Sequence, residues 1–166
     1  GIQAKTYNFI ASDGAHQAVI DENGWIHLKM IDVNEVSITQ EATVLNTGSP
    51  HYIKPVSALS NYDVFTEGKK IRYNETYNKV GINVNFVEWN ENELFVRTYE
   101  RGVENETFSC GTGVTAAAIA SSGSMGQQHI NVQVEGGALA VSFNRIGENH
   151  YTDVWLIGPA TFVFEG

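Results

Sequence analysis

A single cysteine stands directly before a glycine-flanked threonine at the start of an uncharged, helix-forming segment. Cys110 is followed by Gly111, Thr112 and Gly113, and small or apolar residues then continue to Ser122. The first turn of a helix has backbone N–H groups without intrahelical partners and carries the positive end of the helix dipole. Both features favour a thiolate and bind carboxylates. The spacing therefore predicts a reactive Cys110, with a pKa below that of a free thiol, beside an anion-binding turn.

Other residues suited to acid–base or binding chemistry are spread along the chain, and each also has a purely structural explanation. His51 could be a loop histidine bonded to a backbone carbonyl, and Asn83 could be a turn residue at a strand end. Glu100 and Arg101 could form an exposed ion pair, which stabilises a fold by ~0–1 kcal/mol. A lone cysteine is often a small buried hydrophobe, and glycines around a threonine can serve a tight turn alone. Taken singly, His51, Asn83 and the Glu100–Arg101 pair favour the structural explanation.

Short strands and turns must position these residues. Strands are predicted where β-branched and aromatic residues lie between turn formers. They cover residues 7–10, 16–20, 25–31, 36–39, 42–45, 52–56, 82–89, 94–99, 130–134, 138–143, 154–157 and 161–164. A short helix is predicted at 57–68, ending at Gly68, and a buried helix at 114–122, where no face carries a charge. We therefore predict an α+β fold in which antiparallel and mixed strands wrap around a central buried helix.

The composition excludes several classes of protein. The chain has 166 residues, 42% of them hydrophobic and 17% charged, which is enough apolar material to bury a core. A net charge of −9 repels phosphate backbones and anionic lipids, so neither nucleic acid nor a membrane is expected as a partner. One cysteine and five scattered histidines indicate a reduced, cytoplasmic setting without a structural metal.

Several segments resemble the sequences of diaminopimelate epimerases. The most specific is 98–113, which resembles the surroundings of the second catalytic cysteine of that family. In the same order and spacing as in the family, the other similar segments are 46–51, 81–86, 136–139, 158–160 and 163–166. The resemblance extends over nearly the whole chain and implies a lobe with the diaminopimelate epimerase fold.

The resemblance implies a cofactor-independent isomerase that inverts a carbon next to a carboxylate, without pyridoxal phosphate or metal. In that family two cysteines face opposite sides of the substrate, and one thiolate removes a proton while the other thiol supplies one. Cys110 matches one member of the pair. His51 and Glu100 match residues that assist proton movement and orient the substrate amino group, so all three are expected to be catalytic.

The same resemblance implies a set of substrate-binding residues. Arg101 and Asn83 match positions that hold the distal end of the substrate, and Glu100 lies at the amino group. Gly111 and Thr112 match the amides that bind the reacting carboxylate as negative charge develops on it. Ser49 stands where the family usually has an asparagine, and its shorter hydroxyl offers one donor where an amide offers two.

The chain departs from the family pattern in two further ways. The stretch between Gly102 and Thr107 is one residue longer than the commonest form. The family's Cys-Gly-Asn-Gly motif, which carries its other catalytic cysteine, does not occur. We therefore expect residues 1–31, with a last strand at 159–166, to be the remnant of an N-terminal lobe that is otherwise missing. Residues 32–158 are expected to form the C-terminal epimerase lobe.

The leading interpretation is the C-terminal part of an enzyme that interconverts LL- and meso-diaminopimelate in lysine biosynthesis. The expected partners are this small amino acid, the missing N-terminal lobe and, in the full-length protein, a second copy forming a homodimer. The chain alone is expected to be inactive. Alternatives are a proline racemase or phenazine-pathway isomerase of the same wider fold, a thiol hydrolase using Cys110 and His51, and a non-catalytic binding or assembly module.

Overall fold

The structure is a computed structural model and describes residues 5–11 and 14–161. Most of these residues lie in strands of one large sheet. The strands are β1 (Lys5–Ala11), β2 (Gly14–Ile20), β3 (Ile26–Lys29), β4 (Val36–Ile38), β5 (Thr43–Asn46), β6 (Pro50–Pro55), β7 (Asn83–Asn90), β8 (Glu93–Glu100), β9 (Asn105–Thr107), β10 (Gly126–Val134), β11 (Gly137–Gly147) and β12 (His150–Gly158). The α-helices are α1 (Val64–Arg72) and α2 (Gly111–Ala120), and a short 3₁₀ helix covers Leu59–Asn61.

The sheet has the order β1-β2-β3-β12-β11-β10-β8-β7-β6-β5-β4, with β9 paired to β8. Most neighbours are antiparallel, but β6 pairs with β7 and β8 pairs with β10 in parallel. Each parallel pair needs a crossover connection, and these connections contain α1 and α2 respectively. The predicted mixture of antiparallel and parallel strands with two helices is therefore confirmed.

The helix α2 is buried over most of its length. Gly113 to Ile119 are all buried, and the helix contacts β5, β6, β7, β8, β10, β11 and β12. Its alanines and Val114 belong to the main hydrophobic core together with Leu94, Val141 and Val154. A helix without a polar face can be stable only when apolar groups surround it. The predicted burial of this helix is therefore confirmed.

The helix α1 differs from the sequence-based expectation. It starts at Val64, and Asp63 caps it by accepting a hydrogen bond from the Thr66 N–H. The helix continues past Gly68 to Arg72. The prediction that Gly68 ends a helix begun at residue 57 is wrong. A Cβ at position 68 would overlap Tyr99 of β8, so this glycine allows the helix to pack closely on the sheet.

The predicted hairpins agree better with the structure. The pair β7–β8 turns through Glu91 and Asn92, as the Asn-Glu-Asn-Glu segment predicts, and the meander β1-β2-β3 is also present. His51 lies inside β6, whereas the sequence pattern had placed it in the preceding loop. Of the strand expected at 161–164, residues 162–164 lie outside the described residues, as do 162–166 of the expected segment 159–166.

Candidate active site

A cleft of about 1100 Å³ opens at the N-terminus of α2. One group of lining residues comes from the first three strands and includes Phe9, His16 and Leu28. The other group comes from the turn after β5, the end of β8 and the start of α2, and it includes Glu100 and Cys110. The fold thus brings four parts of the chain to one concave surface.

Cys110 is the N-cap residue of α2 and faces this cleft. Its sulfur lies 3.5 Å from Thr112 Oγ1, and the residue is half-buried. Burial raises the pKa of Cys110, and the negative charge of Glu100 raises it further. Hydrogen bonds from the Thr112 hydroxyl and from the amides of Gly113 and Thr112 act in the opposite direction but do not outweigh burial. The sequence-based expectation of a lowered pKa is therefore wrong for the free protein, because that expectation did not include desolvation.

His51 is fully buried, and side chains hold it at both ring nitrogens. Its Nδ1 lies 2.9 Å from Asn85 Oδ1, and its Nε2 lies 2.9 Å from both Ser49 Oγ and Thr112 Oγ1. Burial lowers the pKa of His51 to about 4; the bond to Asn85 opposes this shift and the charge of Arg101 adds to it. His51 is therefore neutral at physiological pH, and it is not the loop histidine of the structural explanation.

Thr112 connects the cysteine with the histidine. Its hydroxyl lies within 3.1 Å of Ser49 Oγ in addition to its contacts with Cys110 and His51. Its backbone carbonyl accepts a hydrogen bond of 2.8 Å from Thr47 Oγ1, which ties the start of α2 to the turn after β5. A side chain in the first turn of α2 thus lies in a hydrogen-bonded network with groups more than 60 positions away in sequence.

Asn83 and Ser49 use their polar groups within the protein. Asn83 is buried, and its Nδ2 donates to Ser49 Oγ at 3.1 Å and to the Pro50 carbonyl at 3.0 Å. Its Oδ1 accepts from the backbone N–H of Arg101 at 2.9 Å. Asn83 therefore joins the start of β6 to the end of β8, which positions both Ser49 and Arg101.

The neighbouring charged residues Glu100 and Arg101 are placed differently. Glu100 lines the cleft, and its Oε2 accepts a bond of 2.8 Å from Thr107 Oγ1. Arg101 is exposed, and its Nη1 donates to the Val80 carbonyl at 3.2 Å. Across the described part of the chain, no ion pair includes Arg101. The proposed surface pair of Glu100 with Arg101 is therefore not formed.

The structure brings most of the expected site residues into one region. Cys110, Gly111, Thr112 and Glu100 line the cleft, and the buried His51 is in hydrogen-bond contact with Thr112. Arg101 joins this region through its backbone, while its guanidinium points to Val80.

Sequence reasoning missed two supporting residues, Asn85 and Thr98, and the contact that Gly113 makes with Asn85. Asn85 lies two positions after Asn83 in the buried first half of β7, and this spacing on one face of a strand was the available signal. The residues flanking it, Val84 and Phe86, are fully buried. A polar residue at that position therefore needed a polar partner.

Within residues 5–11 and 14–161, no three His, Cys, Asp or Glu side chains lie close enough together to hold a metal ion. Neither helix of this described part is long and apolar enough to cross a membrane.

Solved structures share the fold at low sequence identity. A probable proline racemase from Agrobacterium radiobacter K84 superposes with a TM-score of 0.67 at 12% identity, covering 99% of this chain and 62% of the other. A phenazine biosynthesis protein of the PhzF family from Bacillus anthracis gives a TM-score of 0.61 at 12% identity, covering 93% and 65%. The chain therefore has the fold of these two proteins.

Sequence comparison defines the family more closely. Residues 43–163 match the family described as diaminopimelate epimerase. The diaminopimelate epimerase of Flavobacterium psychrophilum is 51% identical, a match covering 99% of this chain and 64% of the relative. That of Chlorobaculum tepidum is 37% identical, covering 98% and 65%. The chain belongs to the diaminopimelate epimerase family and spans just under two thirds of the length of these relatives.

Proposed function

We propose that the chain provides one half of a diaminopimelate epimerase active site, for the interconversion of LL- and meso-diaminopimelate in cytoplasmic lysine biosynthesis. The half-site consists of Cys110, Gly111, Thr112, His51 and Glu100. The observation that carries the proposal is the placement of a thiol at the N-terminus of a buried helix, in a cleft and in hydrogen-bond contact with Thr112. The substrate in this proposal is taken from the names of the relatives, which are called diaminopimelate epimerases.

The reaction requires a base on one face of the α-carbon and an acid on the other. Cys110, as the thiolate, takes the α-proton and becomes a thiol, and the electron pair of the C–H bond moves onto the α-carbon and its carboxylate. A second thiol then donates its proton to the opposite face, which inverts the centre. No cofactor enters this balance, because the carboxylate itself accepts the developing charge.

The start of α2 is suited to hold that carboxylate. The backbone N–H groups of Gly111 and Thr112 lie in the first turn, where no intrahelical carbonyl accepts from them. Hydrogen-bond donors and the helix dipole stabilise an anion most where its charge grows in the transition state. The negative charge that develops on the substrate carboxylate when Cys110 takes the proton is therefore stabilised by the start of α2.

Charged side chains near the cleft are suited to bind the other charged groups of the substrate. Glu100 provides a negative charge for the substrate ammonium group. Arg101 carries a guanidinium with no ion-pair partner in the described chain, and its planar fork matches a distal carboxylate. Asn83 and Ser49 contribute to the distal contact by holding the backbone of Arg101 and the hydroxyl of Thr112.

The second thiol must come from outside these residues, because Cys110 is the only cysteine among the 166. We propose that it belongs to an N-terminal lobe that closes over the cleft, and that the complete enzyme is a homodimer. Residues 1–31 and 159–166 would then form part of that lobe, and 32–158 the lobe of Cys110. By itself, the present chain addresses one face of a substrate.

Deuterium exchange tests this half-site directly. The purified chain is incubated in D₂O with LL- or meso-diaminopimelate, and mass spectrometry and chiral chromatography follow the label and the configuration. The two isomers present the α-hydrogen of the reacting centre on opposite faces. We therefore expect slow labelling of one isomer only, with its configuration retained, and no labelling by Cys110→Ala.

A matched variant and two outcomes complete the test. Ser109→Ala, which alters the preceding cleft residue and keeps the thiol, is the control and should still label the substrate. Absence of both exchange and calorimetric binding would contradict the proposal and favour a non-catalytic remnant. Hydrolysis of esters by the wild-type chain would indicate a thiol hydrolase instead.

A further inference from the structure

A network of buried polar side chains continues from the half-site into the sheet. Its inner members, Asn85 and Thr98, have no role in the reaction described above. The hydroxyl groups of Ser49 and Thr112 each lie 2.9 Å from His51 Nε2. On the other side of the ring, Nδ1 lies 2.9 Å from Asn85 Oδ1. Asn85 in turn reaches Thr98 on β8. Both inner residues are buried, Asn85 completely and Thr98 to 3% exposure. Polar groups so far from water are retained only with satisfied hydrogen bonds.

The orientation of the Asn85 amide determines the protonation of His51. The Asn85 Nδ2 donates to Thr98 Oγ1 at 2.7 Å, so the amide oxygen faces the imidazole. A carbonyl oxygen can only accept, and the hydrogen between Nδ1 and Oδ1 must therefore lie on Nδ1. A neutral imidazole has one N–H group, which leaves Nε2 as an acceptor on the side of the cleft.

The first turn of α2 holds the same amide from the other side. A Cβ added to Gly113 would lie 2.5 Å from Asn85 Nδ2, closer than real Cβ atoms approach other groups. Glycine at this position thus leaves the space that the Asn85 amide occupies. This contact is independent of the hydrogen bonds and places Asn85 against both α2 and His51.

We propose that Asn85 is a positioning residue that fixes His51 as the Nδ1–H tautomer, with Thr98 and Gly113 holding the Asn85 amide. The consequence for the reaction rests on the proposed function. Asn83 donates to Ser49, whose own hydrogen can then go to His51 Nε2. The Thr112 hydrogen remains available to the Cys110 sulfur 3.5 Å away, where it stabilises the thiolate.

The charged surroundings of His51 agree with a neutral ring. From β7 it meets the neutral Asn83 and Asn85, and from α2 it meets Thr112, with the Cys110 thiol beyond. From the end of β8 it experiences the positive charge of Arg101. Among the described residues, no carboxylate forms a hydrogen bond with the ring. A negative charge placed at Asn85 would therefore change the titration of His51 strongly.

Nitrogen-15 NMR of the ring tests the tautomer without any substrate. Long-range proton–nitrogen spectra of the full chain at pH 7 distinguish an N–H nitrogen from a lone-pair nitrogen, and His51→Gln identifies the signals among the five histidines. We expect Nδ1 protonated and Nε2 bare. Asn85→Asp should raise the pKa of His51 from about 4 by at least 2 units, because the carboxylate stabilises the imidazolium.

Two further variants separate positioning from general packing. Gly113→Ala should displace the Asn85 amide and allow the Nε2–H tautomer to appear. Gly123→Ala, where the added Cβ meets no atom within 4 Å, should leave the spectrum unchanged. Asn131→Asp adds the same charge at an exposed site of β10 and should not move the His51 titration.

An Nε2–H tautomer in the wild-type chain, or an Asn85→Asp variant with an unshifted His51, would overturn this inference. If Asn85→Asp does not fold, the wild-type tautomer and Gly113→Ala still decide the question. Because none of these readouts needs diaminopimelate, their result is separate from that of the deuterium-exchange experiment.

Discussion

At the scale of the residue, the reactivity of Cys110 reflects a competition between burial and the helix terminus. Burial and Glu100 favour the thiol, whereas Thr112 and the amides of the first turn favour the thiolate. We expect iodoacetamide labelling against pH to give an apparent pKa above the ~8.5 of a free thiol. Glu100→Gln should lower this pKa, and Thr112→Val should raise it.

Glu93→Gln is the control for the charge change, because Glu93 is exposed at the opposite end of β8 from Glu100. An apparent pKa below that of a free thiol in the wild-type chain would show that the helix terminus outweighs burial after all.

His51 makes stability dependent on pH. Its folded-state pKa of about 4 lies below the ordinary 6.5, so the unfolded chain takes up a proton at this residue first as the pH falls. The contribution is fully present above pH 6.5 and is lost between about 6.5 and 4. Between pH 7.5 and 5.0, urea denaturation should show a fall in unfolding free energy that is smaller in His51→Gln by ~2 kcal/mol.

The control for this measurement is His150→Gln, because His150 is exposed at the start of β12. Equal pH dependence of the wild-type chain and His51→Gln would mean that the buried ring is already protonated at pH 5.

The proposed contact of Arg101 with the distal carboxylate of the substrate can be tested by substitution. We expect Arg101→Lys to weaken calorimetric binding of diaminopimelate at least tenfold, ~1.4 kcal/mol, because an ammonium group lacks the two-point contact of a guanidinium. Arg145→Lys is the matched control, since that guanidinium donates to backbone carbonyls around Gly147. Unchanged affinity of Arg101→Lys would mean that Arg101 does not contact the substrate.

At the scale of the element, the packing of α1 on β8 depends on the absence of one side chain. Alanine normally stabilises a helix interior relative to glycine by ~1 kcal/mol. At Gly68 the added methyl group would overlap Tyr99, so Gly68→Ala should instead lower the unfolding free energy by ~1–3 kcal/mol. Urea denaturation measures this, with Gly123→Ala in open space as the control. Stabilisation by Gly68→Ala would mean that α1 can move away from the sheet without loss.

At the scale of the whole molecule, the number of thiols limits the chemistry. One sulfur fixed at the start of α2 can reach only one face of a bound α-carbon, and the fully buried His51 bonds to the same Thr112 hydroxyl that contacts this sulfur. The open cleft also leaves water at the site, which weakens carbanion stabilisation. We expect the chain alone to convert LL- to meso-diaminopimelate at far below ~1 s⁻¹.

Chiral chromatography over time checks this expectation, with Cys110→Ala as the blank. Inversion at ~1 s⁻¹ or faster would show that a second acid reaches the opposite face from within these 166 residues.

Local sequence patterns predicted several elements correctly. The hairpin β7–β8 follows from two runs of β-branched and aromatic residues around a polar turn. The burial of α2 follows from its lack of any charged residue. The end of α1 was not predictable in this way, because the reason for Gly68 lies in Tyr99, which belongs to a strand 31 positions later.

The sequence by itself determined that Cys110 caps an apolar helix and that the chain resembles one family of epimerases, because capping residues and motifs are local patterns. Only the tertiary structure decided that His51 is a buried, neutral strand residue between Asn85 and Thr112. It also decided that the pKa of Cys110 is raised and not lowered. Both outcomes depend on desolvation and on hydrogen bonds between residues tens of positions apart, and these quantities exist only once the sheet and α2 have packed together.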